Sequence, residues 1–145
     1  MATTDAEPRF VDTNVLVYAH DRTAEPKREA AAALVERLWA SGRGCVSIQV
    51  LQELFVTLTR KLPRQLEADA AENVVADFAR WTVHAPGADD VLAAIRLHRR
   101  HRISFWDAMI VRSAAALGCD TLLSEDLNAG QRYDGLLVVD PFAPS

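Results

Sequence analysis

Short apolar runs alternate with longer helical patterns along most of this chain, and this alternation constrains its fold more than any other feature. The apolar runs have the length and composition of buried strands, whereas the segments between them repeat with a helical period over about ten residues or more. Strands that alternate with helices in this way form parallel sheets whose two faces are covered by helices. The sequence therefore predicts an α/β fold with a mainly parallel sheet.

The individual elements follow from the same pattern and from the residues that bound them. The predicted strands are Phe10–Val11, Cys45–Val46, Trp81–Val83, Thr121–Leu123 and Leu136–Val139. The predicted helices are a short turn at Val15–Ala19, then Lys27–Ala40, a segment from Ile48 to the residues before Pro63, Glu67–Arg80, Asp89–His101 and Phe105–Leu117. Ser47 and Ser104 are expected as N-caps, and Gly118 as the residue that ends its helix.

The length of 145 residues is typical of one domain, which we assign to residues 9–142. Residues 1–8 are small and polar and end in proline, so we expect a disordered N-terminus, and residues 143–145 form a tail. The longest apolar run near the N-terminus, Val15–Ala19, is too short for a membrane or export segment. We therefore expect a cytoplasmic protein with no membrane partner.

Four carboxylates recur at ordered places relative to these elements. Asp12 and Asp126 follow strand-like runs, and Glu53 and Asp107 lie on the polar sides of helices that begin after a strand or turn. Each has an ordinary explanation as a helix cap, a turn residue or a solvated helix residue. Together, however, they accompany successive βα units, and open parallel sheets gather such positions at one edge.

Four carboxylates in one small pocket would repel one another unless a divalent cation joins them. Carboxylate oxygens are hard ligands that suit Mg²⁺ or Mn²⁺. Such an ion activates water and offsets the charge that builds up on a phosphate during its displacement. The constellation therefore predicts a metal-dependent reaction on phosphate.

The formal charge of −4 argues weakly against non-specific nucleic-acid binding, which normally requires a basic surplus. The basic residues are nevertheless clustered between Arg96 and Arg102. Within this cluster Arg99, Arg100 and Arg102 are candidate RNA-binding residues, because arginine suits phosphate recognition. An equally good explanation is that they complement the dipole at the end of the predicted helix 89–101.

Four segments of the chain resemble PIN-domain nucleases, and the overall length is similar to that of the VapC-type toxins of bacterial toxin–antitoxin pairs. The segments that carry the resemblance are Phe10–Leu16, Gln52–Leu54, Phe105–Ala108 and Leu122–Asp126. The resemblance implies an α/β/α sandwich with a five-stranded, mainly parallel sheet. It also implies endoribonuclease activity that depends on Mg²⁺ or Mn²⁺, a homodimer, and neutralisation by a cognate antitoxin.

The resemblance matches Asp12, Glu53, Asp107 and Asp126 to the acidic quartet of the family, and Asn14 and Ser124 to polar positions that steady the pocket. The resulting hypothesis is in-line attack of activated water on an RNA phosphodiester. The three aspartates would hold the metal and Glu53 would orient or deprotonate the water. Glu125 is an additional acid beside Asp126 that could take its place.

Two alternatives remain open from the sequence. The first is another Mg²⁺-dependent phosphate hydrolase, such as a haloacid-dehalogenase-like phosphatase, although Asn14 stands where that class has its second aspartate. The second is a binding protein that has kept the fold without catalysis. The sequence does not specify which RNA is cut.

Overall fold

The computed structural model describes residues 7–143, and the expectation of a disordered N-terminus falls for the most part on residues outside this range. The strands are β1 (Arg9–Val11), β2 (Gly44–Ser47), β3 (Thr82–His84), β4 (Thr121–Leu123), β5 (Arg132–Tyr133) and β6 (Leu136–Val139). The helices are α1 (Thr13–Tyr18), α2 (Lys27–Ser41), α3 (Ile48–Val56), α4 (Ala68–Phe78), α5 (Ala88–His101) and α6 (Phe105–Ala116). None of these helices is long and apolar enough to cross a bilayer.

The strands form one sheet in the order β3-β2-β1-β4-β6-β5. All neighbouring pairs are parallel except β5 and β6, which are antiparallel. The predicted mainly parallel sheet flanked by helices is therefore confirmed, but the expected number of five strands is wrong. The additional strand is β5, two residues that pair with β6 across a turn at Asp134–Gly135 and are too short to give a strand pattern in the sequence.

The two central strands bring distant parts of the chain to the same edge of the sheet. Val11 of β1 is in register with Leu123 of β4, and the amide of the next residue, Asp12, donates to the Leu123 carbonyl at 2.9 Å. Residues that follow β1 and β4 are therefore neighbours, although they are more than a hundred positions apart in sequence. Both strands are apolar because helices cover both faces of the sheet.

Helix α3 does not end at Val56 but continues as one turn of π-helix over Thr57–Lys61. Ser47 caps its start by accepting a hydrogen bond from the Val50 amide at 3.3 Å. Of the residues that the apolar period of this segment predicts to be buried, Leu54 and Leu58 are fully buried, but Ile48 and Phe55 are exposed. Val50 is fully buried as well. The π-turn is a feature that the sequence pattern did not indicate, and such turns are frequent at functional sites.

Gly44, at the start of β2, has no room for a side chain. A Cβ atom built there would lie 2.6–2.8 Å from the ring of Trp81. We expect Gly44→Ala to lower the free energy of unfolding by about 1–3 kcal/mol, as overpacking of a core does. Urea denaturation would measure the loss, and adding Trp81→Leu should recover part of it if the clash is the cause.

Candidate functional site

An open cleft of about 550 Å³ lies at the carboxyl end of the parallel strands. Asp12 reaches it from the end of β1, Glu53 from α3, Asp107 from α6 and Asp126 from the loop after β4. The structure thus brings together all four acids that the sequence singled out. Open α/β sheets place their binding sites at this edge, where the strand ends and the following helices meet.

Asp12 is the most buried of the four acids, with 5% of its surface exposed. Its Oδ1 accepts a hydrogen bond from the Thr13 amide at 2.7 Å, so Asp12 also caps α1. Its Oδ2 accepts from the Ser124 hydroxyl at 2.8 Å. Both carboxylate oxygens are therefore held in place by groups at the ends of β1 and β4, which fixes the direction in which the carboxylate faces the cleft.

The pKa of Asp12 is raised from 3.8 to about 6. Burial is the largest cause, and the negative charges of Asp126 and Glu53 add to it, whereas the hydrogen bonds from Ser124 and Thr13 act in the opposite direction. A positive charge near such an acid favours its ionised form and lowers its pKa. Asp12 is thus the carboxylate whose ionisation depends most on a cation in the cleft.

Glu53 is exposed, but its carboxylate is oriented by two neighbours. The Thr13 hydroxyl donates to Oε1 at 2.7 Å, and the Gln49 amide donates to Oε2 at 3.3 Å. Gln49 also donates to the Trp106 carbonyl at 3.2 Å and so connects α3 to the start of α6. The role of Thr13 escaped the sequence reasoning, and its position between Asp12 and Asn14 was the signal that it faces the site.

Asn14 and Ser124 fix the loop that carries Asp126. Asn14 donates to Asp126 Oδ2 at 3.1 Å and accepts from the Glu125 amide at 3.1 Å. Ser124 is fully buried and accepts from the Asp126 amide at 3.1 Å while its hydroxyl donates to Asp12. The two residues therefore connect the acids after β1 and β4 into one hydrogen-bonded unit.

Glu125 is not among the residues that line the cleft. Its carboxylate pairs with the Lys27 ammonium and accepts a hydrogen bond from the Tyr18 hydroxyl at 2.7 Å. Burial raises the pKa of Glu125, but Lys27 and Tyr18 together lower it below its usual range. Glu125 is thus engaged outside the site, and Asp126 is the acid of this pair that lines the cleft.

Asp107 lies in the first turn of α6, where its amide donates to the Ser104 hydroxyl at 3.0 Å. Its pKa is raised, chiefly by burial and further by the charges of Asp126 and Glu53, although Ser104 acts in the opposite direction. Asp12 and Asp107 therefore respond to the same two neighbouring carboxylates. The four acids form one electrostatically coupled group.

None of the four acids forms a salt bridge with a basic side chain of the described residues. The atoms that these acids offer to a metal ion are all oxygens, which suit a hard divalent cation. Such a cation would also relieve the repulsion among the four carboxylates. Within residues 7–143, however, no three acidic, histidine or cysteine side chains are close enough to form a preassembled metal cluster. The group fits Mg²⁺ or Mn²⁺ in the type of its ligand atoms and in its charge.

A basic and an aromatic side chain also line the cleft. Lys61, in the π-helical turn after α3, is its one lysine, and Trp106 lines it with 63% of its surface exposed. The sequence analysis did not identify Lys61, because the residue faces the cleft only through the π-turn. An exposed tryptophan beside an acidic pocket offers a flat surface for a nucleobase.

The predicted RNA-binding arginines do not line this cleft. Arg99 and Arg100 instead line a second cleft between α5 and α6, and Arg102 is the residue in left-handed conformation that ends α5. The cluster is expected near the acids because α6 begins directly after it, but Arg99 and Arg100 face a cleft of their own that shares α6 with the acidic one. Their role in RNA binding stays a prediction.

Comparison with known proteins places most of the chain within one family. Residues 9–134 match the family model of the PIN domain. Ribonuclease VapC24 of Mycobacterium tuberculosis is 30% identical over 140 residues, which cover 90% of this chain and 94% of the relative. The family model therefore includes all residues that line the acidic cleft and every strand of the sheet except β6.

Solved structures agree with this fold at lower sequence identity. A toxin–antitoxin complex from Klebsiella pneumoniae superposes with a TM-score of 0.69 at 16% identity and covers 92% of this chain and 98% of the other. The sarcin-ricin-loop-cleaving toxin VapC20 of Mycobacterium tuberculosis superposes with a TM-score of 0.63 at 24% identity, covering 81% and 89%. VapBC2 of Rickettsia felis, bound to a DNA fragment from its promoter, gives a TM-score of 0.64 at 18% identity, covering 90% and 96%.

Proposed function

Since this chain belongs to the PIN-domain family, we propose that it is a VapC-type endoribonuclease that cleaves RNA phosphodiesters with the help of Mg²⁺ or Mn²⁺. The observation that carries the proposal is the convergence of Asp12, Glu53, Asp107 and Asp126 on one cleft, where none of them is salt-bridged to a basic side chain of residues 7–143. The identity to Ribonuclease VapC24 over nearly the whole chain supports RNA as the substrate class.

In this proposal Asp12, Asp107 and Asp126 hold the metal ion. When bound, the ion supplies a more acidic water and offsets the charge that develops on the phosphate. Glu53, held by Thr13 and Gln49, orients that water and accepts its proton. Exposed carboxylates are well suited to pass a proton on to solvent, so Glu53 can act again in the next turnover.

Asn14 and Ser124 act as positioning residues. Ser124 holds one oxygen of Asp12 and the backbone of Asp126, and Asn14 holds the Asp126 side chain. Because the hydrogen bonds of both residues go to the acids after β1 and β4, their removal should disturb the metal site more than RNA binding. Mutation of residues that hold metal ligands in place typically lowers metal affinity by about ten- to a hundredfold.

Asp126 and Glu125 are expected to respond differently to the same chemical change. Asp126→Asn should lower the cleavage rate by about a hundredfold or more, because it removes one charge from the proposed metal site. Glu125→Gln should leave the rate within about threefold of wild type, because that carboxylate pairs with Lys27 instead. Cleavage assays at saturating Mg²⁺ distinguish the two, and the opposite ranking would assign the fourth ligand to Glu125.

We further propose that the protein is a growth-inhibiting toxin that an antitoxin neutralises, and that it works in the cytoplasm as a homodimer. The structural neighbours from Klebsiella pneumoniae and Rickettsia felis were solved as toxin–antitoxin or VapBC assemblies, which supports an antitoxin partner. Large apolar side chains are exposed on the surface around α2 and α3 and supply area for such contacts, namely Trp39, Ile48, Phe55 and Val56.

Induced expression in bacteria tests the toxin proposal directly. Growth should stop on induction, and mapping of RNA 5′ ends should reveal new cuts at defined positions. The Asp107→Ala protein, expressed to the same level, should cause neither effect. Growth arrest by both proteins, or arrest without new RNA ends, would contradict the nuclease proposal and would leave a binding function for this fold.

A further inference from the structure

The second cleft of the molecule has the chemistry of a polyanion site. It has a volume of about 630 Å³ and lies between α5, α6 and the hairpin of β5. Its charged lining consists of four arginines and one aspartate, namely Arg96, Arg99, Arg100, Arg112 and Asp134. On a chain with a net charge of −4, this is a concentrated basic surface.

Three of these arginines have their charge available for a ligand. Arg112 is paired with Asp90 at 2.8 Å, whereas Arg96, Arg99 and Arg100 form no salt bridge within the described range 7–143. The three lie within two turns of α5, on the side that faces α6. Uncompensated arginines at one cleft attract phosphate groups, with which they form two parallel hydrogen bonds.

Tyr133 gives the cleft a second polar group. The residue is only 2% exposed, it lines the cleft, and its hydroxyl finds no hydrogen-bond partner among the described residues. Leaving a buried hydroxyl unpaired costs free energy that a ligand can recover. The ring itself packs edge-on against His101 at 4.8 Å between centroids, so Tyr133 is held rigidly at the site.

The second cleft is close to the acidic one because both share α6. Asp107 and Ile110 of this helix line the acidic cleft, and Val111 and Ala115 line the second. From Asp107 to Ala115 the helix rises by about 12 Å, which a strand of a few nucleotides can span. The charge of Asp107 also raises the pKa of Tyr133, which is the second largest effect there after burial.

We propose that this second cleft binds the sugar–phosphate backbone of the RNA a few nucleotides away from the bond that the acids cleave. The inference rests on the proposed nuclease function and extends it by a separate binding subsite. Single-stranded RNA suits the cleft because its phosphates are accessible to Arg96, Arg99 and Arg100. The acidic cleft then needs to contact only the scissile region.

The test measures RNA binding in an Asp107→Asn background, in which the probe stays intact. The probe is a fluorescent single-stranded RNA of about 20 nucleotides, titrated at several salt concentrations. Arg99→Gln/Arg100→Gln should weaken binding roughly tenfold and reduce the slope of log affinity against log salt by about 1.4, as expected for two lost phosphate contacts. Arg37→Gln/Arg43→Gln removes the same charge from exposed sites outside both clefts and should leave affinity within about twofold.

A double lysine substitution keeps the positive charge and therefore distinguishes the loss of charge from the loss of the arginine hydrogen bonds. Arg99→Lys/Arg100→Lys should keep most of the salt slope but lose part of the affinity, because lysine cannot form the paired hydrogen bonds of arginine. Equal losses in the two glutamine pairs, or no loss in either, would overturn the proposal. The proposal would also be overturned if polyglutamate bound tightly through Arg99 and Arg100 and RNA did not displace it. The cleft would then be assigned to an acidic protein segment.

The outcome is separable from that of the proposed function. If the Arg99→Gln/Arg100→Gln protein cleaves RNA at the wild-type rate, and the same pair in the Asp107→Asn background binds RNA with full affinity, the subsite is refuted and the nuclease stands. If RNA binds through Arg99 and Arg100 but the wild-type protein never cleaves it, the nuclease is refuted and the RNA site stands.

Discussion

Replacing Asp12 with asparagine will abolish RNA cleavage and, in metal-free solution at neutral pH, make the protein more stable. The loss of activity follows from the loss of a charged ligand at the centre of the acidic group, and a defect of about a thousandfold or more is expected for several kcal/mol of lost transition-state stabilisation. The gain in stability follows from burial, because Asp12 is almost fully enclosed and its neighbours Asp126 and Glu53 are acidic as well.

The pH dependence of this effect has a definite sign. The pKa of Asp12 is about 6 in the folded protein against 3.8 for an ordinary aspartate, so the folded state favours the protonated acid. The associated stability is fully present below pH 3.8 and is lost as the pH rises through 6. We expect Asp12→Asn to be more stable than wild type by roughly 1–3 kcal/mol at pH 7–8 and to lose this advantage near pH 4.

Urea denaturation in EDTA at a series of pH values measures this difference. Asp77→Asn is the matched control, since Asp77 is an exposed acid of α4 that does not line the cleft. The control should remain within about 0.5 kcal/mol of wild type at every pH. If the Asp12→Asn protein is instead less stable than wild type at pH 7, Asp12 is not a buried charge that destabilises the metal-free fold, and the loss of activity could follow from unfolding alone.

Removal of divalent metal is the second change with a large expected effect. EDTA should reduce cleavage to background, and added Mg²⁺ or Mn²⁺ should restore it, because none of the four acids is salt-bridged within residues 7–143 and one lysine, Lys61, cannot offset four carboxylates. The ion should also stabilise the fold, by about 2.7 kcal/mol at a concentration a hundred times its dissociation constant. Thermal unfolding with and without Mn²⁺ measures this independently of activity.

The same titration on variants identifies the ligands. Asp107→Asn should unfold at nearly the same temperature with and without Mn²⁺, whereas Asp77→Asn should show the wild-type increase. Full cleavage in excess EDTA would refute metal dependence. Equal stabilisation of wild type and Asp107→Asn by Mn²⁺ would show that the ion binds elsewhere on the chain.

The sequence was sufficient to predict the type of fold and most element boundaries, because periodicity and caps are local properties. Ser47 and Ser104 cap α3 and α6 as predicted, and Gly118 has the positive φ expected of a residue that ends a helix. Two features escaped this reasoning for physical reasons. Strand β5 exists only through its pairing with β6, and the π-turn after α3 has no periodicity of its own over five residues.

The site was predictable as a set of residues but not in its detailed contacts. The acids could be assigned to one sheet edge because β1 and β4 are parallel neighbours, which alternation of strands and helices already implies. The choice between Glu125 and Asp126 depends instead on Lys27 and Tyr18, which approach from α2 and α1. The position of the arginine cluster likewise depends on how α5 packs beside α6, which no local pattern encodes.

The most direct test of the central claim is cleavage of RNA by the purified protein. A 5′-labelled RNA should be cut at defined positions by wild type with Mg²⁺ or Mn²⁺, leaving 5′-phosphate and 3′-hydroxyl ends. The folded Asp107→Asn protein, purified in the same way, should leave the RNA intact. Cleavage by both proteins at the same rate, or hydrolysis of a small phosphomonoester by wild type in place of RNA, would contradict a nuclease built on these four acids.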